Sequence, residues 1–334
     1  MTARHSLLRI TANAALGLTI CALMLGAIEG IVRLIPHSLI STELRQVPDL
    51  APPDRGSILL RRNGYRGRRP CSECPADTLR IAAMGGSSVF GVPMAYSAKT
   101  WPAQLKRLFD AGMPERHVEV LNGGIAGFGI WQILESLEAV VLHDRPDMLI
   151  ISSWFNDSSW GPGWYGYHGL SDEEAYHRVR RLRTIESHPL YQLLRRSHAY
   201  GLLRSSVEQL VSPATPTGRR ERPPRRRRST PEEFARGLER VIELATGHGI
   251  RPVLIFEPLN RTEARSAEVT RNRYYQAIED AANRHGLLLI DTLSPLAARS
   301  EEWLFYDFIH PNERGHRVVA GKIFTALTSE RRVD

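Results

Sequence analysis

The sequence has very little cysteine. Its three cysteines are Cys21, Cys71 and Cys74, too few for a disulfide-rich scaffold or for a structural zinc site. No histidine follows Cys74, as covalent haem attachment would require. Outside the cytoplasm, Cys71 and Cys74 are expected to close a small disulfide loop, and the alternative is two unpaired surface thiols.

Lysine is also scarce. Because Lys99, Lys106 and Lys322 are the only lysines, the net charge of +8 depends almost wholly on arginine. The densest arginine run, residues 219–228, contains two prolines and no aromatic residue, whereas nucleic-acid sites combine basic and aromatic side chains. We therefore expect no nucleic-acid partner. The run itself is interpreted as a solvated, flexible loop that can be removed with little effect on the rest of the protein.

Charged residues are absent from one long segment near the amino terminus. Residues 10–28 contain no charged side chain, and Arg9 and Glu29 flank them. This length suffices for a membrane-spanning helix and exceeds the ~7–15 residues of a signal-peptide apolar region. A cleaved signal peptide is the alternative. We predict an uncleaved anchor within residues 1–35 and an extracytoplasmic location for the rest of the chain.

The remainder divides into a linker and a single domain. Residues 36–75 are rich in Pro, Arg and Ser and show no sustained periodicity, which is typical of a stalk or linker. From residue 76 to 334, short apolar runs alternate with helical patterns. Residues from about 160 to 230 interrupt the alternation and are predicted to form a variable insertion, partly helical and partly disordered.

The alternation predicts an α/β fold. Five apolar runs predict strands at residues 79–84, 118–121, 148–151, 253–256 and 287–290. Helical spacing of apolar residues predicts helices at 101–109, 131–142, 234–246 and 274–285. Strands that alternate with helices in this way form a parallel sheet with helices on both faces. Functional groups in such sheets gather at the carboxyl ends of the strands.

A glycine-rich turn follows the first predicted strand. Gly85 and Gly86 precede Ser87, and Gly91 lies four residues beyond it. A serine at a strand-to-helix turn can present its hydroxyl and its backbone amide to the same space, as a nucleophile requires. Two other interpretations stay open for the turn alone: glycines needed only for backbone geometry, or a phosphate site at a helix start.

A second motif lies near the carboxyl end, where Asp307 precedes His310 by three residues. At this spacing the carboxylate can hold one imidazole nitrogen while the other nitrogen faces a serine, as in a Ser-His-Asp triad. The Gly-x-Ser-x-Gly elbow of α/β-hydrolases is absent around Ser87. The candidate catalytic residues are therefore Ser87, Asp307 and His310.

Four motifs in order resemble the SGNH (GDSL-like) hydrolase superfamily over about residues 78–330. They are residues 85–91, with Gly86 in place of the usual Asp; residues 122–127; residues 154–157, with Trp154 in place of Gly; and residues 307–310. The resemblance implies a three-layer, flavodoxin-like sandwich around a mostly parallel five-stranded sheet. It also implies an oxyanion hole formed by the amides of Ser87 and Gly127 and the side chain of Asn156. It calls for no metal and no organic cofactor.

Aromatic residues are concentrated beside Asn156. Trp154, Trp160 and Trp164 are candidate substrate-binding residues, because flat rings there could stack on a sugar or cover an acyl chain. The alternative is a lid packed on its own domain.

The resemblance implies a serine esterase. Together with the extracytoplasmic location expected from the anchor, it implies hydrolysis of acyl esters, in particular acetyl esters, on an extracytoplasmic carbohydrate. An O-acyltransferase with the same triad is the first alternative, because only access of the acceptor distinguishes the two reactions. A catalytically silent polysaccharide-binding or assembly protein is the second.

Overall fold

The computed structural model describes residues 65–67, 70–160, 170–194, 226–260 and 272–330, with short stretches between 19 and 31 and between 197 and 200. The chain separates into two compact units. The first comprises residues 1–51 and 179–222, and the second comprises residues 52–178 and 223–334. Within the first unit, Glu29 accepts hydrogen bonds from the Ser197 hydroxyl (2.7 Å) and from the Ala199 amide (2.9 Å).

The second unit is built on a five-stranded sheet in the order β2-β1-β3-β4-β5, and every described pair of neighbouring strands is parallel. The strands are β1 (Leu79–Gly85), β2 (Val118–Gly124), β3 (Met148–Ser152), β4 (Arg251–Ile255) and β5 (Leu288–Ile290). All five predicted strands are present within three residues of their expected ends, so the α/β prediction with a five-stranded parallel sheet is confirmed.

The described helices of the chain follow in sequence order. They are α1 (Ser87–Phe90), α2 (Trp101–Gly112), α3 (Ile130–Ala139), α4 (Phe155–Ser158), α5 (Asp172–Glu186), α6 (Pro189–Leu194), α7 (Pro231–Gly247), α8 (Arg273–His285), α9 (Leu293–Ala297) and α10 (Glu313–Glu330), with 3-10 turns at Ser97–Lys99 and Val141–Asp144. The helix predicted over residues 131–142 ends at Ala139. Helix α7 begins at a capping box, in which Thr230 and Glu233 bond each other's backbone amides.

Both faces of the sheet are buried. Ala82 and Met84 of β1 pack into one hydrophobic cluster with α3, α7 and α8, whereas Ile81 and Ala83 pack into a second cluster with α2 and α10. Successive side chains of a strand point to opposite faces, so a strand that is covered on both sides reads as a continuous apolar run. This explains why the strands could be located from the sequence.

The strand order also determines where a site can form. The connection from β1 leads to β2 on one side, and the next strand, β3, lies on the other side of β1. In open parallel sheets a crevice forms at such a switch point, outside the carboxyl ends of the strands. The residues that follow β1, β2 and β3 therefore face one another across this crevice, and they are the first three motifs of the sequence.

The packed unit begins earlier in the chain than the sequence predicts. Tyr65 lies within the predicted linker, yet it is buried and its hydroxyl donates to Asp144 (2.6 Å). The neighbouring Arg66 amide donates to the Asn122 carbonyl (2.9 Å). Cys71 and Cys74 are joined by a disulfide, with their Cα atoms 5.6 Å apart. The linker composition did not reveal these contacts, because single anchoring residues leave no periodic pattern.

The predicted membrane helix falls mostly on residues outside the described ranges. Across the part of the chain that the structure describes, no helix has both the length and the apolar character needed to cross a membrane.

The arginine run predicted to be dispensable is structural at its carboxyl end. Residues 219–225 lie outside the described residues. Arg228, however, is only 7% exposed and bonds Asp172 (Nη2 to Oδ2, 2.7 Å), Gln132 (3.0 Å) and the Gly127 carbonyl (Nη1 to O, 2.7 Å). The prediction of a fully solvated loop was wrong for this residue, because the buried carboxylate of Asp172 requires a cationic partner.

We therefore expect Arg228→Ala to lower the free energy of unfolding by about 3–5 kcal/mol, since it leaves Asp172 buried without its cation. Arg240→Ala removes an exposed pair with Glu243 and serves as the control, with an expected loss of less than about 1 kcal/mol. Urea unfolding followed by circular dichroism measures both changes. Equal losses in the two variants would contradict a structural role for the Arg228 pair.

Candidate active site

Ser87 is the first residue of α1, directly after the turn that ends β1. An amide in the first turn of a helix has no partner within the helix, so the Ser87 N–H is available to a ligand at the strand edge. A Cβ at Gly86 would lie 2.5 Å from Asn156 Nδ2, so a larger residue at this position would require the Asn156 side chain to move.

The three candidate catalytic side chains are in direct contact. His310 Nε2 lies 2.8 Å from Ser87 Oγ, and His310 Nδ1 lies 2.7 Å from Asp307 Oδ2. Since a carboxylate only accepts hydrogen bonds, Nδ1 donates to Asp307 and Nε2 is left to accept from the serine hydroxyl. The structure thus brings together residues that are more than two hundred positions apart in the sequence.

Asp307 is held in its ionised form. Partial burial acts to raise the pKa of this carboxyl. The hydrogen bonds from the His310 side chain and from the amides of Ile309 and His310 outweigh that effect, and the net shift lowers the pKa. A carboxylate that stays charged can orient the imidazole and stabilise the imidazolium that forms when His310 takes a proton.

The residues after His310 support the loop and take no part in the candidate triad. Asn312 Oδ1 accepts from the amides of Arg314 and Gly315 at the start of α10. His316 is fully buried, and its Nδ1 accepts from the Trp101 amide (3.1 Å). Burial lowers the pKa of His316 to about 3, so this histidine is neutral and structural.

Gly127 and Asn156 lie on the two loops that face Ser87 across the crevice. Gly127 has φ +85°, a conformation that favours glycine, and Arg228 anchors its carbonyl. Asn156 Nδ2 donates to the Phe128 carbonyl (2.8 Å). A side-chain amide carries two N–H donors, so the second N–H of Asn156 is left for another acceptor.

A buried glutamate that the sequence reasoning missed connects the turn at Ser87 with the turn at Asn156. Glu257 Oε1 accepts from the Ser88 hydroxyl (2.6 Å), and Oε2 accepts from the Phe155 amide (3.2 Å). Each of these donors belongs to the residue next to Ser87 or next to Asn156. Glu257 follows the fourth predicted strand run directly, and a carboxylate at that position was the signal that could have identified it.

Burial changes the acidity of two carboxyls beneath the site. Desolvation raises the pKa of Glu257 to about 7, although the hydrogen bonds from Ser88 and Phe155 act in the opposite direction. Desolvation likewise raises the pKa of Asp157 to about 6, against the attraction of Arg228 and the donors Ile130 and Ser153. Both carboxyls therefore gain protons in the folded state at pH values where they are ionised in an unfolded chain.

The three tryptophans proposed to bind substrate have different surroundings. Trp154 is a core residue, only 7% exposed, and packs against Tyr274 and Tyr275, so its ring face is not available to a substrate. Trp160 is 60% exposed, with the Arg227 guanidinium 4.9 Å from its ring centroid. Trp164 lies outside the described residues.

The raised pKa of Glu257 leads to a prediction about stability. Its folded-state pKa of about 7 exceeds the unfolded value, so protonation of Glu257 stabilises the folded state. This contribution is fully present below about pH 4.5 and is lost as the pH rises through 7. The unfolding free energy of the wild type, minus that of Glu257→Gln, should therefore fall by about 3 kcal/mol between pH 4.5 and pH 8.

Chemical denaturation of both proteins at several pH values measures this difference. Glu243→Gln is the matched control, because Glu243 is exposed and its substitution should give a difference that hardly changes with pH. A difference for Glu257→Gln that is the same at pH 4.5 and pH 8 would contradict the argument.

Comparison with solved structures finds similar folds at low sequence identity. An α/β hydrolase enzyme from the metagenome of Lake Arreo, Spain, is 18% identical, with a TM-score of 0.48 over 75% of this chain and 94% of the other. A member of the lipolytic protein G-D-S-L family from Veillonella parvula is 16% identical, with a TM-score of 0.45 over 75% and 98%.

An acetylxylan esterase from Geobacillus stearothermophilus is 14% identical, with a TM-score of 0.47 over 74% of this chain and 93% of the other. No curated protein matches the chain.

A family model also matches this chain. The GDSL-like Lipase/Acylhydrolase family model matches residues 83–318, well over half of the chain. The matched region begins within β1, contains Ser87, Gly127, Asn156, Asp307 and His310, and ends within α10. This chain therefore belongs to the GDSL-like lipase/acylhydrolase family of hydrolytic enzymes.

Proposed function

We propose that this protein is a serine esterase that removes acyl groups, in particular acetyl groups, from an extracytoplasmic carbohydrate, with Ser87, His310 and Asp307 as its catalytic triad. The observation that carries the proposal is the unbroken contact from Asp307 Oδ2 to His310 Nδ1 (2.7 Å) and from His310 Nε2 to Ser87 Oγ (2.8 Å). Family membership supports ester hydrolysis as the reaction.

In the first half of the reaction, Ser87 Oγ attacks the ester carbonyl carbon while His310 Nε2 takes the hydroxyl proton. Asp307 stabilises the resulting imidazolium. The tetrahedral intermediate then collapses, and His310 gives the proton to the departing alcohol oxygen of the sugar. The acyl group remains on Ser87.

In the second half, water enters the place left by the alcohol. His310 takes a proton from this water, which attacks the acyl carbonyl, and returns the proton to Ser87 Oγ as the free acid leaves. The carbohydrate part of the proposal is supported by the predicted extracytoplasmic location and by the exposed aromatic residues beside His310.

The negative charge on the carbonyl oxygen needs donors at the sheet edge. We assign this role to the amides of Ser87 and Gly127 and to the second N–H of Asn156. Preorganised donors of this kind contribute strongly because they do not reorganise as the charge develops. Glu257 helps to hold these donors in position, since it accepts hydrogen bonds from the residues next to Ser87 and Asn156.

Substitutions of the triad test the proposal. Ser87→Ala, His310→Ala and Asp307→Asn should each fold and each lower turnover of p-nitrophenyl acetate by about 10⁴-fold or more, because each removes one member of a unit that acts together. The Ser87→Ala/His310→Ala double variant should be about as slow as either single variant. His248→Ala, an exposed histidine elsewhere, is the control and should keep full activity.

Asn156→Ala provides a contrast in the same assay. It should lose about 10²–10³ in turnover yet still react slowly with a fluorophosphonate, because the nucleophile and its base remain. Circular dichroism establishes that each variant is folded. Near-normal hydrolysis by folded Ser87→Ala would end the serine-esterase proposal.

We also propose that residues 10–28 anchor the protein in a membrane, with the esterase outside the cytoplasm. The uncharged length of the segment supports this. The full-length protein should then stay with membranes after alkaline extraction. Leu16→Arg/Leu23→Arg should release it, since each arginine costs about 2.5–3.5 kcal/mol near the centre of a spanning helix.

Arginines introduced at Ser38 and Ser41 are the control and should leave the protein in the membrane fraction. Complete extraction of the wild type at alkaline pH would contradict the anchor.

A further inference from the structure

A pocket of about 360 Å³ opens beside the loop that carries Asp307 and His310. Its walls come from the residues after β4, from α9 and from the segment between α9 and the catalytic loop. The residues used in the argument are Asn260, Arg299, Ser300, Glu302, Trp303 and Tyr306. The volume is at the small end of the ~300–1,000 Å³ range of ligand pockets, which suits a compact ligand.

The pocket wall is continuous with the catalytic loop. Tyr306 is adjacent to Asp307, and its amide donates to the His310 carbonyl (2.9 Å). On the other side, the Asn260 amide donates to the Phe308 carbonyl (2.8 Å). A molecule held in the pocket therefore lies against the same loop that positions the imidazole next to Ser87.

Two exposed aromatic rings border this pocket. Trp303 is 65% exposed and Tyr306 is 46% exposed. Their centroids are 5.6 Å apart and their planes are nearly perpendicular, at 89°, a favourable edge-to-face arrangement that holds each ring in place. Large apolar side chains clustered on the surface next to a pocket mark a binding site more often than isolated ones do.

Polar side chains also line the pocket. Arg299 and Glu302 form a loose exposed pair (3.9 Å), and Asn260 and Ser300 add further hydrogen-bonding groups. Of the apolar lining residues, Leu259, Leu296, Leu304 and Phe305 are buried. A fatty acyl chain offers no partner to the polar groups. A sugar ring does, because it has apolar C–H faces for the aromatic rings and hydroxyl groups around its edge for the polar side chains.

We propose that this pocket is a sugar-binding subsite, in which Trp303 and Tyr306 contact the ring of the carbohydrate whose ester is presented to Ser87. The inference rests on the proposed esterase function and identifies where the alcohol part of the substrate binds. It replaces Trp154 with Trp303 and Tyr306 as the aromatic substrate contacts. The pocket contacts only substrates that carry a sugar, so hydrolysis of a small ester does not depend on it.

The test uses the full-length protein and its Trp303→Ala, Tyr306→Ala and Trp303→Phe variants. Tyr96→Ala is the matched control, because Tyr96 is also exposed (68%) and does not line the pocket. The substrates are a panel of acetylated pentose, hexose and amino-sugar oligosaccharides, p-nitrophenyl acetate and p-nitrophenyl octanoate. Tryptophan fluorescence also measures binding of the corresponding unacetylated oligosaccharides.

For at least one sugar of the panel, Trp303→Ala and Tyr306→Ala should each raise KM about 10-fold, since a lost aromatic contact in a pocket is worth about this factor. Their kcat/KM on p-nitrophenyl acetate should stay at the wild-type value. Trp303→Phe should recover part of the affinity, and Tyr96→Ala should change nothing.

Unchanged KM across the whole panel in both alanine variants would overturn the subsite, as would a loss confined to the octanoate ester, which would indicate an acyl-chain pocket. Failure of the esterase proposal gives a different result, in which the wild type hydrolyses none of the esters. The fluorescence titrations then decide alone: weaker sugar binding by Trp303→Ala upholds the subsite, and no binding by the wild type overturns it.

Discussion

Burial of both faces of the parallel sheet is the constraint on which the rest of this structure depends. With helices packed on each side, the strands carry mainly apolar residues, and polar residues such as Arg80, Glu119 and Asn122 lie towards the strand ends. The switch in strand order between β1 and β3 then makes the loops after β1, β2 and β3 converge. Ser87, Gly127 and Asn156 lie on these three loops, and His310 reaches them from the carboxyl-terminal part of the domain.

Two buried ionisable side chains connect these segments by hydrogen bonds. Glu257 spans the neighbours of Ser87 and Asn156, and Arg228 spans Asp172 and the Gly127 carbonyl. A buried ionisable group is costly unless each of its atoms has a partner. If one of the joined segments moved, Glu257 or Arg228 would lose a hydrogen-bond partner. That loss would cost free energy, so these contacts oppose the movement. The candidate oxyanion site is thus connected by hydrogen bonds with two buried side chains that do not contact the triad.

The two departures from the resembled motifs have different surroundings. Gly86 lies directly against the Asn156 side chain, which would have to move for a larger residue. Trp154 points into the core, where it packs with two tyrosines of α8, so its size fills the space between α4 and α8. Exposed aromatic residues include Trp160 and, before the loop that carries His310, Trp303 and Tyr306. Aromatic content beside a motif was therefore a poor guide to which rings are exposed.

The sequence by itself determined the five strands, the four helices α2, α3, α7 and α8 and the order of the motifs, because a fully covered sheet and amphipathic helices impose periods that can be read along the chain. Helix α10 was not predicted. The sequence also singled out Ser87, Asp307 and His310, since their spacing is local or follows a strand end. Only the tertiary structure decided the roles of Glu257 and Arg228, the packing of Tyr65 on the domain and the burial of Trp154. Each of these depends on contacts between distant segments, and such contacts have no period and leave no pattern in the chain.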